Sequence, residues 1–212
     1  MTDCVIITSV IQTSTRPLSY SKVRSIYSAE QRFRQTLETI ESVRTYIPHA
    51  DILLVECSPT STYTQTISEK VDYFLNLEFN EIVTNGLAKG KGEVILLLHA
   101  LDNLPKKYKN IYKISGRYVL QPTFDISRWN MPGAIVACKT NMYGMLNSIH
   151  TFFYKIDMNC ISIYRECLVK YMDQDNSICI ENYLASNLRP IQYISHIGIL
   201  VRWACYTSTP IY

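Results

Sequence analysis

The first part of the chain pairs a short apolar run with a long polar stretch and then an amphipathic segment. Residues 5–10 read VIITSV, an apolar and β-branched run typical of a strand buried on both faces. Residues 12–27 are polar and have no periodicity, which predicts a loop long enough to be functional. Ser28-Ala29-Glu30-Gln31 then has the form of a capping box that opens a helix, and Pro48 predicts the end of that helix.

A second apolar run follows this helix and completes a β-α-β unit. Residues 51–56 read DILLVE, which predicts a second buried strand, parallel to the first and joined to it by a right-handed crossover. The next residues, 58–66, read SPTSTYTQT and form another polar stretch. A mixed segment leads from there to Val83, and the pattern assigns no helix or strand to it.

The middle of the chain contains a segment rich in glycine and lysine. Residues 85–92 read NGLAKGKG, with three glycines and two lysines, and predict a flexible loop. An apolar helix is predicted to open at Glu93 and to close before Pro105. Residues 111–114 read IYKI and predict a strand that ends at Ser115-Gly116-Arg117.

The remaining elements complete an α/β pattern. Strands are predicted at residues 134–138 and 149–156, helices at 160–172 and 178–188, and a last strand at 191–199. The order predicts a single domain with a central mixed, mostly parallel sheet flanked by helices. The first half of the sheet is expected to be parallel and the second half mixed.

Composition excludes several classes of protein. The 212 residues are 47% hydrophobic and 18% charged, as in a globular domain with a proper core. A formal charge of +3 does not favour a nucleic-acid partner, and no apolar run approaches the roughly 18–20 residues of a membrane span. No basic segment precedes the first apolar run, so a signal peptide is not predicted. Seven scattered cysteines without a C-x-x-C pair indicate reduced structural thiols, and we expect a soluble, cytoplasmic protein.

Polar and charged residues follow the predicted parallel strands where each strand ends. The ends are Thr8-Ser9-Val10, Glu56 and Ser115-Gly116-Arg117, with the Gly/Lys segment beside them. Ligands of open α/β sheets bind at this edge, and cations with backbone N–H groups hold phosphates, so the pattern predicts a nucleoside diphosphate pocket. No G-x-G-x-x-G follows the first strand, which disfavours a dehydrogenase or methyltransferase.

The succession of segments resembles the nucleotide-sugar glycosyltransferases of the GT-A fold. The matching features are a helix ending in YIP, a strand ending in VEC, and NGLAKGKGE before an apolar helix. The K-x-SGRY segment at 113–118 resembles a subset of viral and bacterial members, among them a glycosyltransferase domain of a chlorella virus. The resemblance implies one GT-A domain over residues 1–212, with a nucleotide-binding half at 1–120 and an acceptor and catalytic half at 121–212. It leaves open that further domains follow residue 212.

The family resemblance implies a donor site and a metal ion. The residues that it assigns to donor binding are Thr8, Ser9, Val10, Arg24, Glu56, Lys89, Gly90, Gly92, Ser115, Gly116 and Arg117. The family places a metal-binding Asp-x-Asp motif where this chain has Ser115-Gly116-Arg117. Either Arg117 neutralises the leaving diphosphate itself, or Mn²⁺ or Mg²⁺ binds through the donor phosphates and other ligands, with His196 as a candidate.

The resemblance also implies a reaction. A hexose would move from a UDP-sugar, UDP-glucose or UDP-rhamnose, to a glycan or glycoprotein hydroxyl, in the host cytoplasm if the protein is viral. Glu181 is the predicted catalytic base, with Asp125 and Asp157 as alternatives, and Arg117 is the second predicted catalytic residue. A non-catalytic nucleotide- or glycan-binding module of the same fold is the alternative, and the missing Asp-x-Asp motif favours it.

Overall fold

The structure of the protein is a computed structural model that describes residues 2–140, 148–195 and 198–204. The strands are β1 (Asp3–Ser9), β2 (Ala50–Glu56), β3 (Tyr73–Asn76), β4 (Asn110–Ser115), β5 (Val119–Leu120), β6 (Ile135–Thr140), β7 (Ser148–Asp157), β8 (Ile191–Ile194) and β9 (Ile199–Leu200). The helices are α1 (Ala29–Tyr46), α2 (Thr62–Ser68), α3 (Glu81–Asn85), α4 (Lys89–Asp102), α5 (Ile161–Met172) and α6 (Ile180–Asn187).

A central sheet of seven strands organises the single α/β domain, as the sequence predicts. The strand order is β3-β2-β1-β4-β7-β6-β8. Strands β1 to β4 are mutually parallel, β7 runs antiparallel to both β4 and β6, and β8 runs parallel to β6. The prediction of a parallel first half and a mixed second half is therefore confirmed.

The two faces of the sheet are covered by different helices. Alternate residues of a strand point to opposite faces, so Ile6 packs in one core with α4, α5 and α6, whereas Ile7 packs in the other with α1. The hydrophobic side chains of both cores are almost completely buried. No helix in the described parts of the chain is long and apolar enough to cross a bilayer.

Helix α1 forms as its sequence signals predict. The Ser28 side chain accepts from the N–H of Gln31, and the Gln31 side chain accepts from the N–H of Ser28, which completes the capping box. The helix ends at its C-cap residue, Ile47, directly before Pro48. This helix carries the polar residues that approach the strand ends described below.

The middle of the chain contains elements that the sequence pattern does not predict. The polar stretch at 58–66 contains the start of α2, and the segment to Val83 contains β3 and the start of α3. Helix α4 begins at Lys89 rather than Glu93, so the Gly/Lys segment forms its first turn instead of a loop.

The predicted last strand at 191–199 is divided into two strands. Strand β8 adds to the central sheet, whereas β9 pairs with β5 in a separate two-stranded sheet. Gly198 between them has φ +62°, a left-handed conformation that interrupts an extended run. A Cβ at this position would lie 2.5 Å from the backbone nitrogen of Phe124, so glycine is required for packing as well.

Candidate functional site

The predicted strand ends meet at one edge of the sheet. In the parallel register Ser9 is paired with Glu56, and Thr8 is paired with Ser115. A cavity of about 100 Å³ lies at this edge, between the ends of β1 and β4, the start of α4 and the long loop after β1. Ligands of parallel α/β sheets bind at this edge, so the cavity is the candidate site.

The cavity wall contains most of the predicted donor-binding residues. Those that line it are Thr8, Ser9, Val10, Arg24, Lys89, Gly92, Ser115 and Arg117. Six further lining residues were not predicted, namely Thr13, Arg32, Val83, Thr84, Glu93 and Leu96. Among the predicted residues in the described ranges, Glu56, Gly90, Gly116 and Glu181 do not line it.

Glu56 lies beneath the cavity wall and organises the loops around it. Its side chain is fully buried, and Oε1 accepts hydrogen bonds from the N–H of Ile11 at 2.9 Å, the N–H of Cys57 at 3.1 Å and the hydroxyl of Ser58 at 2.6 Å. Burial raises the pKa of Glu56, and the hydrogen bond from Ser58 opposes the increase. The structure therefore gives Glu56 protein partners where the sequence predicts a ligand contact.

Two of the predicted glycines serve close packing. A Cβ on Gly90 would lie 2.5 Å from the hydroxyl of Tyr171, which donates to the carbonyl of Ile178. A Cβ on Gly116 would lie 3.1 Å from Oγ1 of Thr36 on α1. Both glycines therefore lie close to neighbouring elements, and their predicted role in donor binding stays a prediction.

Four cationic side chains line the cavity: Arg24, Arg32, Lys89 and Arg117. Arg24 is 5% exposed and donates to the carbonyl of Gly86, and Arg32 donates from Nε to the carbonyl of Val10 at 2.5 Å. Arg117 is partly exposed, and its guanidinium lies 5.4 Å from the ring centre of Tyr118. This concentration of positive charge suits an anionic ligand.

Arg32 was missed although the sequence carries a signal for it. It lies on α1 one turn before Thr36, on the buried face of the helix, where the apolar pattern would place hydrophobic residues. A cation on that face needs polar neighbours, and these include the carbonyl of Val10 after β1 and the hydroxyl of Ser25. Polar residues interrupting the apolar face of an amphipathic helix could therefore have indicated the site.

The carboxylate in the cavity wall, Glu93, forms an ion pair with a buried lysine. The side chain of Lys113 on β4 is fully buried, and its Nζ pairs with Glu93 and donates to Oγ of Ser115 at 2.9 Å. Nζ also donates to the carbonyl of Thr151 at 2.6 Å. Burial lowers the pKa of Lys113, and the charge of Glu93 opposes this effect. The lysine inside the apolar run IYKI was a signal that sequence analysis did not use.

Glu181 lies behind the same lysine rather than in the cavity wall. Its Oε1 accepts a hydrogen bond of 2.8 Å from Oγ1 of Thr151, the residue whose carbonyl binds Lys113. Burial raises the pKa of Glu181 above its ordinary value, and the bond from Thr151 opposes this. Glu181 therefore belongs to one polar network with Lys113 and Glu93, on the face of the sheet that α4 and α6 cover.

The alternative base candidates have local structural contacts. Asp125 accepts from the N–H of Ser127 at 2.9 Å, and Asp157 accepts from the N–H of Asn159 at 2.9 Å. Both residues cap short 3₁₀ turns in this way. His196, the candidate metal ligand, lies outside the described residues.

The described residues of the site do not fit a divalent cation. In the described ranges, no group of three or more histidine, cysteine, aspartate or glutamate side chains could hold a metal ion. Hard cations such as Mg²⁺ favour carboxylate oxygens, whereas the lining residues include one carboxylate, Glu93, already paired with Lys113, together with hydroxyl groups and four cations. The donor set favours an anion.

A long loop forms one side of the cavity and contributes Val10, Thr13 and Arg24 to its wall. We call residues 10–27 the cover loop. Its Ser14 donates from Oγ to the carbonyl of Thr84 at 3.0 Å, and the N–H of Ser19 donates to the carbonyl of Leu87 at 3.0 Å. These contacts fasten the cover loop to α3 and to the segment that leads into α4.

Comparison with known proteins identifies the fold. No family model and no curated protein matches the chain. The glycosyltransferase GlyE of Streptococcus pneumoniae TIGR4 superposes with a TM-score of 0.55 at 9% identity, over 91% of this chain and 45% of that one. A glycosyltransferase involved in glycosylation of the major capsid of PBCV-1 gives a TM-score of 0.52 at 12% identity, over 90% of this chain and 80% of that one.

A third similar structure has a different activity. The nucleoside-diphosphate-sugar pyrophosphorylase of Vibrio cholerae RC9 gives a TM-score of 0.51 at 15% identity, over 94% of this chain and 95% of that one. The chain thus spans less than half of the pneumococcal protein and nearly all of the Vibrio one. At these identities the likeness establishes the fold alone, which is of the GT-A type.

Proposed function

We propose that this protein is a glycosyltransferase that moves a hexose from a UDP-sugar to a glycan hydroxyl. The observation that carries the proposal is the set of four cations around a cavity at the carboxyl ends of parallel strands, in a GT-A fold. Cations and backbone N–H groups at this edge suit a diphosphate, which both the bound donor and the leaving UDP contain.

The proposal assigns a separate task to each side of the site. Arg117 and Lys89 face the diphosphate and stabilise the negative charge that develops as the glycosidic bond breaks. Glu181, which lies behind Lys113 and outside the cavity wall, is the proposed base for the proton of the acceptor hydroxyl, whose oxygen forms the new bond to the anomeric carbon. The bond from that carbon to the diphosphate breaks, and its electron pair leaves with UDP.

The finer parts of the proposal concern substrates and location. UDP-glucose or UDP-rhamnose would be the donor and a glycan or glycoprotein the acceptor, in viral or surface glycan synthesis. The similar PBCV-1 protein, which is involved in glycosylation of a capsid, supports this choice. The described cysteines are free thiols, which suits the reducing cytoplasm.

Binding and turnover together test the proposal. Calorimetry with UDP, GDP and CMP should detect binding of at least one nucleotide, and donor consumption should be measured with the matching sugar nucleotides. Glu181→Gln should lower kcat by about 100-fold or more, because general-base catalysis contributes roughly 10²–10⁴-fold. Glu166→Gln on the exposed face of α5 is the control and should leave kcat unchanged. Equal turnover by Glu181→Gln and the parent would remove Glu181 as the base.

The non-catalytic module is the second candidate. Ser115, Gly116 and Arg117 stand where the family has two metal-binding carboxylates, which favours binding without chemistry. Nucleotide binding without consumption of any sugar nucleotide would support this candidate. Release of pyrophosphate from a nucleoside triphosphate and a sugar phosphate would instead indicate a pyrophosphorylase.

A further inference from the structure

We infer that this chain neutralises the departing nucleoside diphosphate with its own fixed cations, led by Arg117, in place of a divalent metal ion. The inference rests on the proposed function, because it takes a nucleoside diphosphate as the ligand. It goes further by making the site independent of metal, contrary to what the family resemblance implies.

The residues at the end of β4 disfavour a divalent cation. Ser115 and Arg117 occupy the positions where two carboxylates would hold a metal, and both line the cavity. Oγ of Ser115 accepts a hydrogen bond of 2.9 Å from Nζ of Lys113. A divalent cation at this place would meet an ammonium and a guanidinium, which repel it.

The nearest carboxylate is already engaged in an ion pair. Glu93 lines the cavity, but it forms an ion pair with Lys113, whose side chain is fully buried. If a metal took Glu93 as a ligand, it would have to compete with a buried ammonium that has no exposure to water. Glu93 therefore balances the charge of Lys113, and the cavity wall contains four further cationic residues.

The contacts of Arg117 fix the position of its guanidinium. Its Nε donates to the carbonyl of Arg202 at 3.4 Å, and its guanidinium lies over the ring of Tyr118. None of the ion pairs among the described residues includes it. These contacts orient the guanidinium without cancelling its charge, and a guanidinium can bind two phosphate oxygens at once.

The experiment measures nucleotide affinity with and without metal. UDP and GDP are titrated by calorimetry into metal-stripped protein in EDTA and again in excess Mn²⁺, and the tighter nucleotide is kept for the variants. The dissociation constants in the two conditions should agree within about threefold. In EDTA, Arg117→Ala should weaken binding of the nucleoside diphosphate by roughly 10- to 100-fold, because it removes charge-assisted hydrogen bonds.

Matched ligands and variants separate the effect from damage to the fold. The nucleoside monophosphate should lose less affinity than the diphosphate on Arg117→Ala, and Arg117→Lys should retain part of the affinity. Arg165→Ala removes an arginine that pairs with Asp102 at the other end of α4, about 20 Å from its start, and should bind as the parent does.

The outcomes distinguish the inference from the proposed function. Binding that requires Mn²⁺ would overturn the inference and leave the proposed function in place. Full affinity of Arg117→Ala in EDTA would also overturn it, because another group would then carry the charge. Absence of nucleotide binding in both conditions would overturn the proposed function and the inference together.

Discussion

Glu56 shows how a single buried carboxylate couples the candidate site to pH. Burial is the largest influence on this side chain and raises its pKa above 4.5. The folded protein therefore binds the proton of Glu56 more tightly than the unfolded chain does. The contribution of this residue to stability is full at low pH and is lost as the pH rises from 4.5 through the pKa of the folded state.

Replacement of Glu56 by glutamine should remove this pH dependence. The amide keeps an oxygen acceptor for the N–H groups of Ile11 and Cys57, but it does not titrate. We expect the free energy of unfolding of Glu56→Gln to fall less steeply than that of the parent as the pH rises above 4.5. Urea unfolding at a series of pH values measures the two slopes, and identical slopes would contradict the assignment.

The chemistry of individual residues could be predicted from the sequence only in part. Cations at the ends of strands, such as Arg117, could be predicted because strand ends in parallel sheets share one edge. The direction of a side chain could not be predicted in this way. Glu56 was therefore expected to contact a ligand, whereas its side chain points into the protein. The pair of Lys113 and Glu93 was missed because it joins a strand and a helix that no local pattern connects.

At the scale of elements, the contact between α4 and α5 depends on glycine at position 90. A Cβ there would lie 2.5 Å from the hydroxyl of Tyr171. Overpacking costs about 1–3 kcal/mol and alanine gains roughly 1 kcal/mol in helix propensity, so we expect Gly90→Ala to destabilise the protein by up to about 2 kcal/mol. Chemical denaturation measures this change.

A second substitution tests the cause. Tyr171→Phe removes the hydroxyl that the new methyl group would meet, at the loss of its hydrogen bond to the carbonyl of Ile178. The Gly90→Ala and Tyr171→Phe double variant should therefore be more stable than the sum of the two single effects implies. Additive effects would mean that the contact with Tyr171 does not explain the need for glycine.

The elements differ in how well the sequence predicts them. Helix α1 has a capping box, a periodic apolar face and a following proline, and its start was predicted to the residue. Helix α2 has only Thr64 and Ile67 buried, so it carries no apolar periodicity, and β3 has four half-buried residues. Short elements with little buried surface are stabilised by tertiary contacts, which a local pattern does not contain.

At the scale of the molecule, the topology explains why the position of the site could be predicted from the sequence, whereas the residues that line it could be predicted only in part. Strands β1 to β4 run in parallel, so their carboxyl ends must lie along one edge. That edge follows from the order of elements. The path of the cover loop and the start of α4 determine which residues line the cavity. Both depend on tertiary packing, which the sequence pattern does not show.

The cover loop has a consequence for kinetics. Pockets that enclose drug-sized ligands have volumes of roughly 300–1,000 Å³, whereas the cavity beneath this loop holds about 100 Å³. We expect a nucleotide to enter the site after the loop has lifted from α3. At high nucleotide concentration, the observed rate of association should therefore reach a plateau equal to the rate of that opening.

We expect two serines outside the cavity wall to contribute to the contact between the cover loop and the segment from α3 to α4. Ser14 and Ser19 donate from Oγ to the carbonyls of Thr84 and Leu87, at roughly 0.5–1.5 kcal/mol for each bond. Stopped-flow measurements on a Ser14→Ala and Ser19→Ala variant should give a plateau that is higher by about fivefold or more, whereas Thr66→Ala on α2 should match the parent. The cover loop must also open for the product nucleotide to leave. Weakening its contacts would therefore shorten the residence time of the product. Where product release limits turnover, the hydroxyls of Ser14 and Ser19 would help to set kcat.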